Sequence, residues 1–367
     1  MRIFKILLIL LILIFIYYFI KPRKHDFWDK QLVSRSNINN NKMITEPTKF
    51  KIDENLINEN WKKTDLKKLI KFINKNYNDD QIYQKKYFNW ILKSPHNHIQ
   101  YLDNVDRNNF NVCLVKNNNI LGSITGRPIV LSINNKIKRA LYVDLMCVHK
   151  KLRNKRYAPK LISKMIELLK TNNIELAIFN IDQKQLPFNH IGSIQYYYIK
   201  LNDIIQDQNK NKSINIFELN TNNCSDAFEY YNNIIKTNKL FQLINLDEFI
   251  YYFKPRNDLV KTFIARDINN KIIGFSSFTI TYYRYNNEIL KNIELINYFY
   301  SNNNYDFFEE LIKILKKKEF RYIIIPNNYT YQKLIDRYNL SKCQKTYYYF
   351  YNYNLKLDVK DICLNFP

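Results

Sequence analysis

The stretch with the greatest chemical capacity runs from Leu141 to Pro159, LYVDLMCVHKKLRNKRYAP. An apolar, strand-like run over 141–148 passes into a loop carrying Lys150, Lys151, Arg153, Lys155 and Arg156. Residues 158–169 then show helical spacing, with Leu161, Ile162, Met165, Ile166 and Leu169 on one face. Pro159 suits the first helical turn, where its missing N–H would be unpaired anyway. The first N–H groups of a helix are free, and its dipole adds partial positive charge. Strand, basic loop and helix start in succession can therefore hold the phosphates of a nucleotide or of coenzyme A. The same residues equally describe a basic surface loop before an ordinary helix. Cys147 invites acyl-enzyme chemistry, but no Cys–His pair is evident beside it.

These residues need a scaffold, and the hydrophobic periodicity supplies one. Helices are predicted over 65–75, 87–92 and 158–169, with strands over 111–115, 120–124, 128–133, 141–148 and 176–181. The second half repeats the theme, with helices over 225–237, 246–253 and 307–317. Its strands are expected over 262–265, 272–281, 290–300, 322–325 and 346–353. Strands, then a helix, then a strand, twice over, suggest two similar α/β halves joined near residues 201–215.

Residues 3–20 read IFKILLILLILIFIYYFI, interrupted only by Lys5. As a helix they rise about 27 Å, close to the roughly 30 Å hydrocarbon core of a bilayer. Small residues before a cleavage site are missing, which favours an uncleaved anchor over a signal peptide. Basic residues after the run (Lys21, Arg23, Lys24) put the bulk of the chain on the cytosolic side. The five cysteines form no close pairs and the histidines no metal-binding spacing, so neither a disulfide framework nor a metal site is expected. A net charge of +24 attracts polyanions generally. No zinc-finger or RNA-recognition pattern accompanies it, so no nucleic-acid partner is expected.

The central segment closely resembles the signature of N-myristoyltransferases, with Cys147 to Arg153, then Lys155-Arg156, then Ala158-Pro159 in place. Other points follow in order. Phe27-Trp28-Asp29, with Gln31, resembles the family's Phe-Trp motif that packs on CoA. Asn76-Tyr77 with Asp79-Asp80 resembles the segment lining its peptide groove. Phe275 to Phe278 and Tyr298 to Tyr300 resemble strands of the substrate pocket, and Tyr348 to Asn352 the final strand. The resemblance implies two fused acetyltransferase-like halves in an α/β (α+β) fold with mixed sheets, preceded by the transmembrane helix. The segments would be 3–20 (anchor), 21–50 (linker with the CoA-contacting motif), 51–205 (acyl-CoA half) and 206–367 (peptide half). It implies a chain acting as a monomer, with myristoyl-CoA as acyl donor, N-terminal-glycine proteins as acceptors and no metal.

Residue by residue, the resemblance assigns cofactor contacts to Asp26, Phe27, Trp28, Leu145, Met146, Cys147, Val148, Asn154, Lys155, Arg156, Tyr157 and Ala158. Peptide contacts would fall on Tyr77, Asn78, Asp144, Asn180, Tyr198 and Tyr300. The backbone N–H groups of Leu145 and Met146 would form the oxyanion hole. Cys147 becomes a packed thiol whose backbone touches the cofactor, and transfer is direct. The base would be the terminal carboxylate of Pro367. In water a carboxylate of pKa about 3.5 is a poor base for an amine of about 8, a gap of about 6 kcal/mol that burial narrows. Three departures stand out: Lys342-Cys343-Gln344 replaces the family's Gly-Asp-Gly loop, Asp144 replaces its usual Asn, and the acidic groove loop keeps only Asp79 and Asp80. They motivate one alternative, a catalytically impaired relative that binds acyl-CoA or acylated peptides.

Overall fold

A chain with four glycines must turn by other means, and asparagine supplies them. In the computed structural model, Asn117-Asn118, Asn134-Asn135 and Asn286-Asn287 each place two successive residues at positive φ. That is the type I′ geometry, whose twist matches the strands of a hairpin, and asparagine tolerates it better than other side chains. The model describes residues 27–35, 40–45, 61–63, 66–77, 80–93, 110–204, 214–301, 306–318, 320–327 and 332–364. The expected anchor over 3–20, together with Asp26, Asn78, Asp79 and Pro367, lies outside them. Among the described residues no helix is long and apolar enough to cross a membrane.

The first half comprises β1 (Lys42–Met43), β2 (Trp61–Lys63), α1 (Leu66–Asn76), α2 (Lys85–Leu92), β3 (Asn111–Lys116), β4 (Asn119–Ile133), β5 (Lys136–Val148), α3 (Tyr157–Thr171), β6 (Leu176–Asp182) and β7 (Gly192–Lys200). The second adds β8 (Asn215–Glu218), α4 (Cys224–Ile235), β9 (Leu240–Leu243), α5 (Leu246–Phe253), β10 (Val260–Arg266), β11 (Ile272–Tyr285), β12 (Glu288–Tyr300), α6 (Asp306–Lys316), β13 (Tyr322–Pro326), α7 (Gln332–Arg337), β14 (Ser341–Tyr351), β15 (Tyr353–Asn354) and β16 (Ile362–Cys363). This is a mixed α/β fold. Antiparallel β3-β4-β5 is followed by α3 and then by β6 parallel to β5; antiparallel β10-β11-β12 is followed by α6 and then by β13 parallel to β12. Each helix is the crossover that a parallel pair requires.

The halves do not keep separate sheets. One continuous sheet runs β16-β9-β4-β5-β6-β14-β7-β13-β12-β11-β10-β8, with β3 also on β4. At its centre the last strand of each half has changed places: β14 lies on β6, β7 lies on β13, and the two pair with each other. The predicted break between 124 and 128 is absent, and β4 continues through Gly126 and Pro128. At Pro128 only β5 lies alongside, since β3 pairs no further than Thr125 and β9 begins at Val130, so the proline interrupts no second ladder.

Two apolar layers flank this sheet. Leu161, Met165, Ile166 and Leu169 pack α3 onto the first half, as its spacing requires. In the second half the rings of Tyr231, Phe249 and Phe253 surround Phe275, each 5.6 Å from it between centroids.

Asp258 ties these layers together at the surface. It accepts hydrogen bonds from Lys86 of α2 (2.7 Å) and Lys291 of β12 (3.0 Å), which together draw its carboxyl down to about 2. A folded-state pKa below the unfolded value of about 3.9 stabilises the protein above that pH, and the benefit fades as pH falls toward 2. The carboxylate is 43% exposed, so solvent screening limits the contribution to about 1 kcal/mol. Urea unfolding of Asp258→Asn is expected to show that loss at pH 7 and a narrower one at pH 3. Equal losses at both pH values would contradict the assignment.

Candidate active site

The site begins with an irregularity in β5. Thr125 faces Asp144 and Ser123 faces Cys147, so β5 uses one residue more than β4 over the same span. This is a β-bulge, and it bends the strand away from its neighbour. Leu145 absorbs the bend at φ 49, a conformation that costs an apolar residue about 1–3 kcal/mol and persists only when its surroundings enforce it. Leu145 is buried, Thr125 Oγ1 donates to the carbonyl of Asp144 at 2.8 Å, and Leu145 N donates to Asp144 Oδ1 at 2.6 Å.

That last contact corrects one expectation. The Leu145 N–H is not idle in the resting site but occupied by the neighbouring carboxylate, the residue where the family carries Asn. A carbonyl oxygen can use this donor only by displacing the side chain of Asp144.

Two cavities meet at the bulge. The first, of 380 Å³, runs under α3 and is walled by Trp28, Ile124, Met146, Met165, Leu169, Ala177, Phe179 and Tyr351, an apolar sleeve. The second, of 210 Å³, opens beyond it between the halves, lined by Tyr87, Tyr142, Tyr196, Thr279, Glu294 and Tyr348. Tyr77, Asp144, Leu145, Asn180 and Asp182 line both. Segment 80–84 roofs the polar cavity. It is held down by Asn74, whose side chain bonds both N–H and C=O of Tyr83 (2.8 and 2.9 Å), and by Ile82 N on the carbonyl of Tyr282 (2.9 Å).

At the outer end of the sleeve, Trp28 stacks 6.4 Å from Phe179 and lies 4.9 Å from Phe188. The basic loop sits nearby. Lys150, Lys151, Asn154, Lys155 and Arg156 are exposed, and Asn154 and Arg156 adopt positive φ, which wraps the chain into the start of α3. Arg156, at the N-cap, provides no side-chain bond to the helix. The N-terminal amides of α3, at Tyr157 and Ala158, are thus left for an anion. Lys150 N and the Arg153 guanidinium anchor the loop to Asn76.

Electrostatics sort the remaining groups. Burial pushes the Cys147 thiol up to about 12, so it stays protonated and is no nucleophile. Val148 beside it pairs with Gly122. Burial raises Asp144, against the opposing pull of Arg127 and of the Leu145 N–H. Asp182 exposes its surface to the cavity, yet protein encloses enough of it to raise its carboxyl despite a 2.5 Å bond from Thr346 Oγ1. Arg127 lies 5.0 Å from the Tyr142 ring, and its Nη2 has no hydrogen-bond partner among the described residues. Among the described residues no group of three or more His, Cys, Asp or Glu is arranged for a metal.

Of the residues expected to contact the peptide, Tyr77, Asp144 and Asn180 converge at the junction. Tyr198 and Tyr300 do not. Tyr198 stands exposed against Tyr322, the cavity position on β7 being taken by Tyr196 two residues earlier. Tyr300 lies six residues beyond Glu294 on β12, about 20 Å along the strand, and packs on Phe307. The sequence reading missed Tyr196, Asp182 and Glu294. Asp182 had a signal, since it ends the strand that carries Asn180; Glu294, inside a strand of no marked alternation, had none.

Residues 34–189 match the family model described as "Myristoyl-CoA:protein N-myristoyltransferase, N-terminal domain". The chain is 21% identical to the cattle glycylpeptide N-tetradecanoyltransferase 2, over 70% of this chain and 57% of that one. It is 26% identical to a putative glycylpeptide N-tetradecanoyltransferase of Amsacta moorei entomopoxvirus, over 77% and 79%. Residues 34–189 thus carry the N-terminal domain of N-myristoyltransferases. The resemblance is a distant one, and the chain spans about three-fifths of the length of the cattle and Drosophila melanogaster relatives (57% and 61%). Its fold is shared with Saccharomyces cerevisiae N-myristoyltransferase solved with bound myristoyl-CoA, at TM-score 0.75 and 17% identity, covering 90% of this chain and 89% of that one. Where N-myristoyltransferases carry Gly-Asp-Gly, this chain places a bulge between Lys342 and Lys345, and Gln195 Nε2 holds the carbonyl of Gln344 at 2.9 Å. No turn forms there, since Lys342-Cys343-Gln344 lies inside β14.

Proposed function

We propose that this chain transfers a tetradecanoyl group from its coenzyme A thioester to the α-amine of an N-terminal glycine. The observation that carries the reading is the meeting of an apolar sleeve and a polar, acid-lined cavity at one bulge. A thioester laid through the sleeve brings its carbonyl to Leu145, with pantetheine and phosphates leading back past Trp28 to the basic loop and the start of α3. A glycine ammonium entering from the polar side meets Asp144 and Asn180. The carboxylate of Asp144 can exchange its bond to Leu145 N for that ammonium, which frees the N–H for the developing oxyanion. Attack is direct, because the thiol of Cys147 stays protonated. Proton removal is the task that the family resemblance assigns to Pro367.

Incubation with labelled myristoyl-CoA and a glycine-starting peptide is expected to yield an amide, and none with the N-acetylated peptide. Ala177 lies on the sleeve wall, and Ala177→Leu adds three carbons there. Each buried methylene is worth about 0.8 kcal/mol, so the tetradecanoyl donor should bind about fifty-fold more weakly and a decanoyl donor nearly as before. Equal effects on both donors would place the acyl chain elsewhere. The bond between Leu145 N and Asp144 favours a second reading, a relative that binds acyl-CoA without transfer; tight binding with no amide would establish it.

A further inference from the structure

The fold encloses one positive charge that the site description leaves without a task. Arg127 stands on β4, 4% exposed, with its guanidinium 5.0 Å from the centre of the Tyr142 ring. Its Nη2 has no hydrogen-bond partner among the described residues, and no carboxylate among them forms an ion pair with it. Enclosing a cation without such a partner is costly, so its charge must act on something nearby.

The register shows what lies within reach. Arg127 pairs with Tyr142 and Thr125 pairs with Asp144, and residues two apart on a strand share a face. Arg127 and Asp144 are therefore diagonal neighbours on one face, about 7–8 Å apart at that spacing. Tyr142 and Asp144 line the polar cavity whereas Arg127 does not, so the guanidinium stands within the wall. The other titratable groups facing Asp144 are Tyr77 after α1, Tyr83 of the roof, Tyr87 of α2, Tyr142 of β5 and Asp182 of β6. None of these is a cation.

We propose that Arg127 is a positioning residue: the positive charge it sets inside the wall fits Asp144 to capture the glycine ammonium. The proposal rests on the transfer reading above. Burial raises the carboxyl of Asp144, and Arg127 exerts the strongest opposing pull, ahead of the Leu145 N–H. A protonated Asp144 would hold an ammonium far less well than a carboxylate does. The ammonium arrives from the cavity side and touches the carboxylate, while the guanidinium stays behind it. Attraction at contact therefore exceeds repulsion between the two cations, because both weaken with distance. Without Arg127 the carboxyl of Asp144 rises further, so it takes up its proton, and loses its hold on the ammonium, at a higher pH.

The test is equilibrium binding of a glycine-starting peptide between pH 5 and 8. The full chain is first loaded with a thioether analogue of myristoyl-CoA that cannot transfer its acyl group. Wild-type affinity is expected to fall at the acid end. In Arg127→Met the fall should begin at higher pH, with the peptide bound about ten-fold more weakly at pH 6 and the analogue bound as before. Arg127→Lys, which restores the charge, should return the profile toward that of the wild type. In an Asp144→Asn background Arg127→Met should move nothing, which separates Asp144 from the cavity's other acids. Arg127→Gln serves the same comparison should methionine prevent folding. A wild-type profile in the neutral variant, or an equal weakening at every pH, would overturn the proposal. A wild type that binds the analogue but no peptide at any pH would instead overturn the transfer reading itself.

Discussion

Asp144→Ala should lower kcat/KM for the peptide by about 10²-fold while acyl-CoA affinity changes by a few-fold at most. Removing one partner of an enclosed charge pair costs about 2–5 kcal/mol, and here the partner is the substrate ammonium. The side chain also holds Leu145 N at 2.6 Å inside a strained bulge. Alanine leaves the strain and removes the contact that organises it. Steady-state kinetics separate the two contributions: weaker ammonium binding raises KM, and a misplaced bulge lowers kcat. Wild-type kinetics in the variant would mean that the amine does not enter at this junction.

Phe275→Ala is expected to cost about 3–5 kcal/mol of unfolding free energy, the usual range for deleting a fully buried ring. Phe275 is completely buried, and besides its three neighbours at 5.6 Å it stacks on Phe299 at 6.3 Å. Four rings face the void its removal leaves, and none is small enough to collapse into it without leaving its own site. Phe275 also begins the stretch of β11 that reaches Thr279 and the polar cavity. Urea unfolding followed by circular dichroism measures the loss. A cost below about 1 kcal/mol would show that this cluster repacks freely.

The sequence revealed most where one physical rule acted alone. Helix α3 follows from its apolar stripe, and Pro159 and the basic loop mark its start. The hairpin at Asn117-Asn118, between the strands read at 111–115 and 120–124, follows from turn chemistry. Reading failed where tertiary context decided. Pro128 looked like a break because nothing local shows that β4 has no neighbour on one side there. Strand β7 was not foreseen because three successive tyrosines, Tyr196 to Tyr198, hide the alternation between cavity, core and solvent. The same limit explains the site. Trp28, Tyr77, Asp144, Leu145 and Asn180 came from the family resemblance and line the two cavities. Tyr198 and Tyr300 came from the same resemblance, but strand register sets them apart from the junction. Glu294 is visible only in the folded chain, as a wall of the polar cavity between the halves.

The traded strands at the centre of the sheet make the order of synthesis matter. While a ribosome is still building the second half, β6 has no outer partner, because β14 has not yet been made; β7 likewise waits for β13. Each half emerges as an unfinished edge that only the other can cover. Closure must bring together segments far apart along the chain, a slow kind of event whose entropy is lost before its contacts form. Until then the open flank of β6 is a template for any passing strand, so the interval between emergence and closure is when this molecule most needs a chaperone.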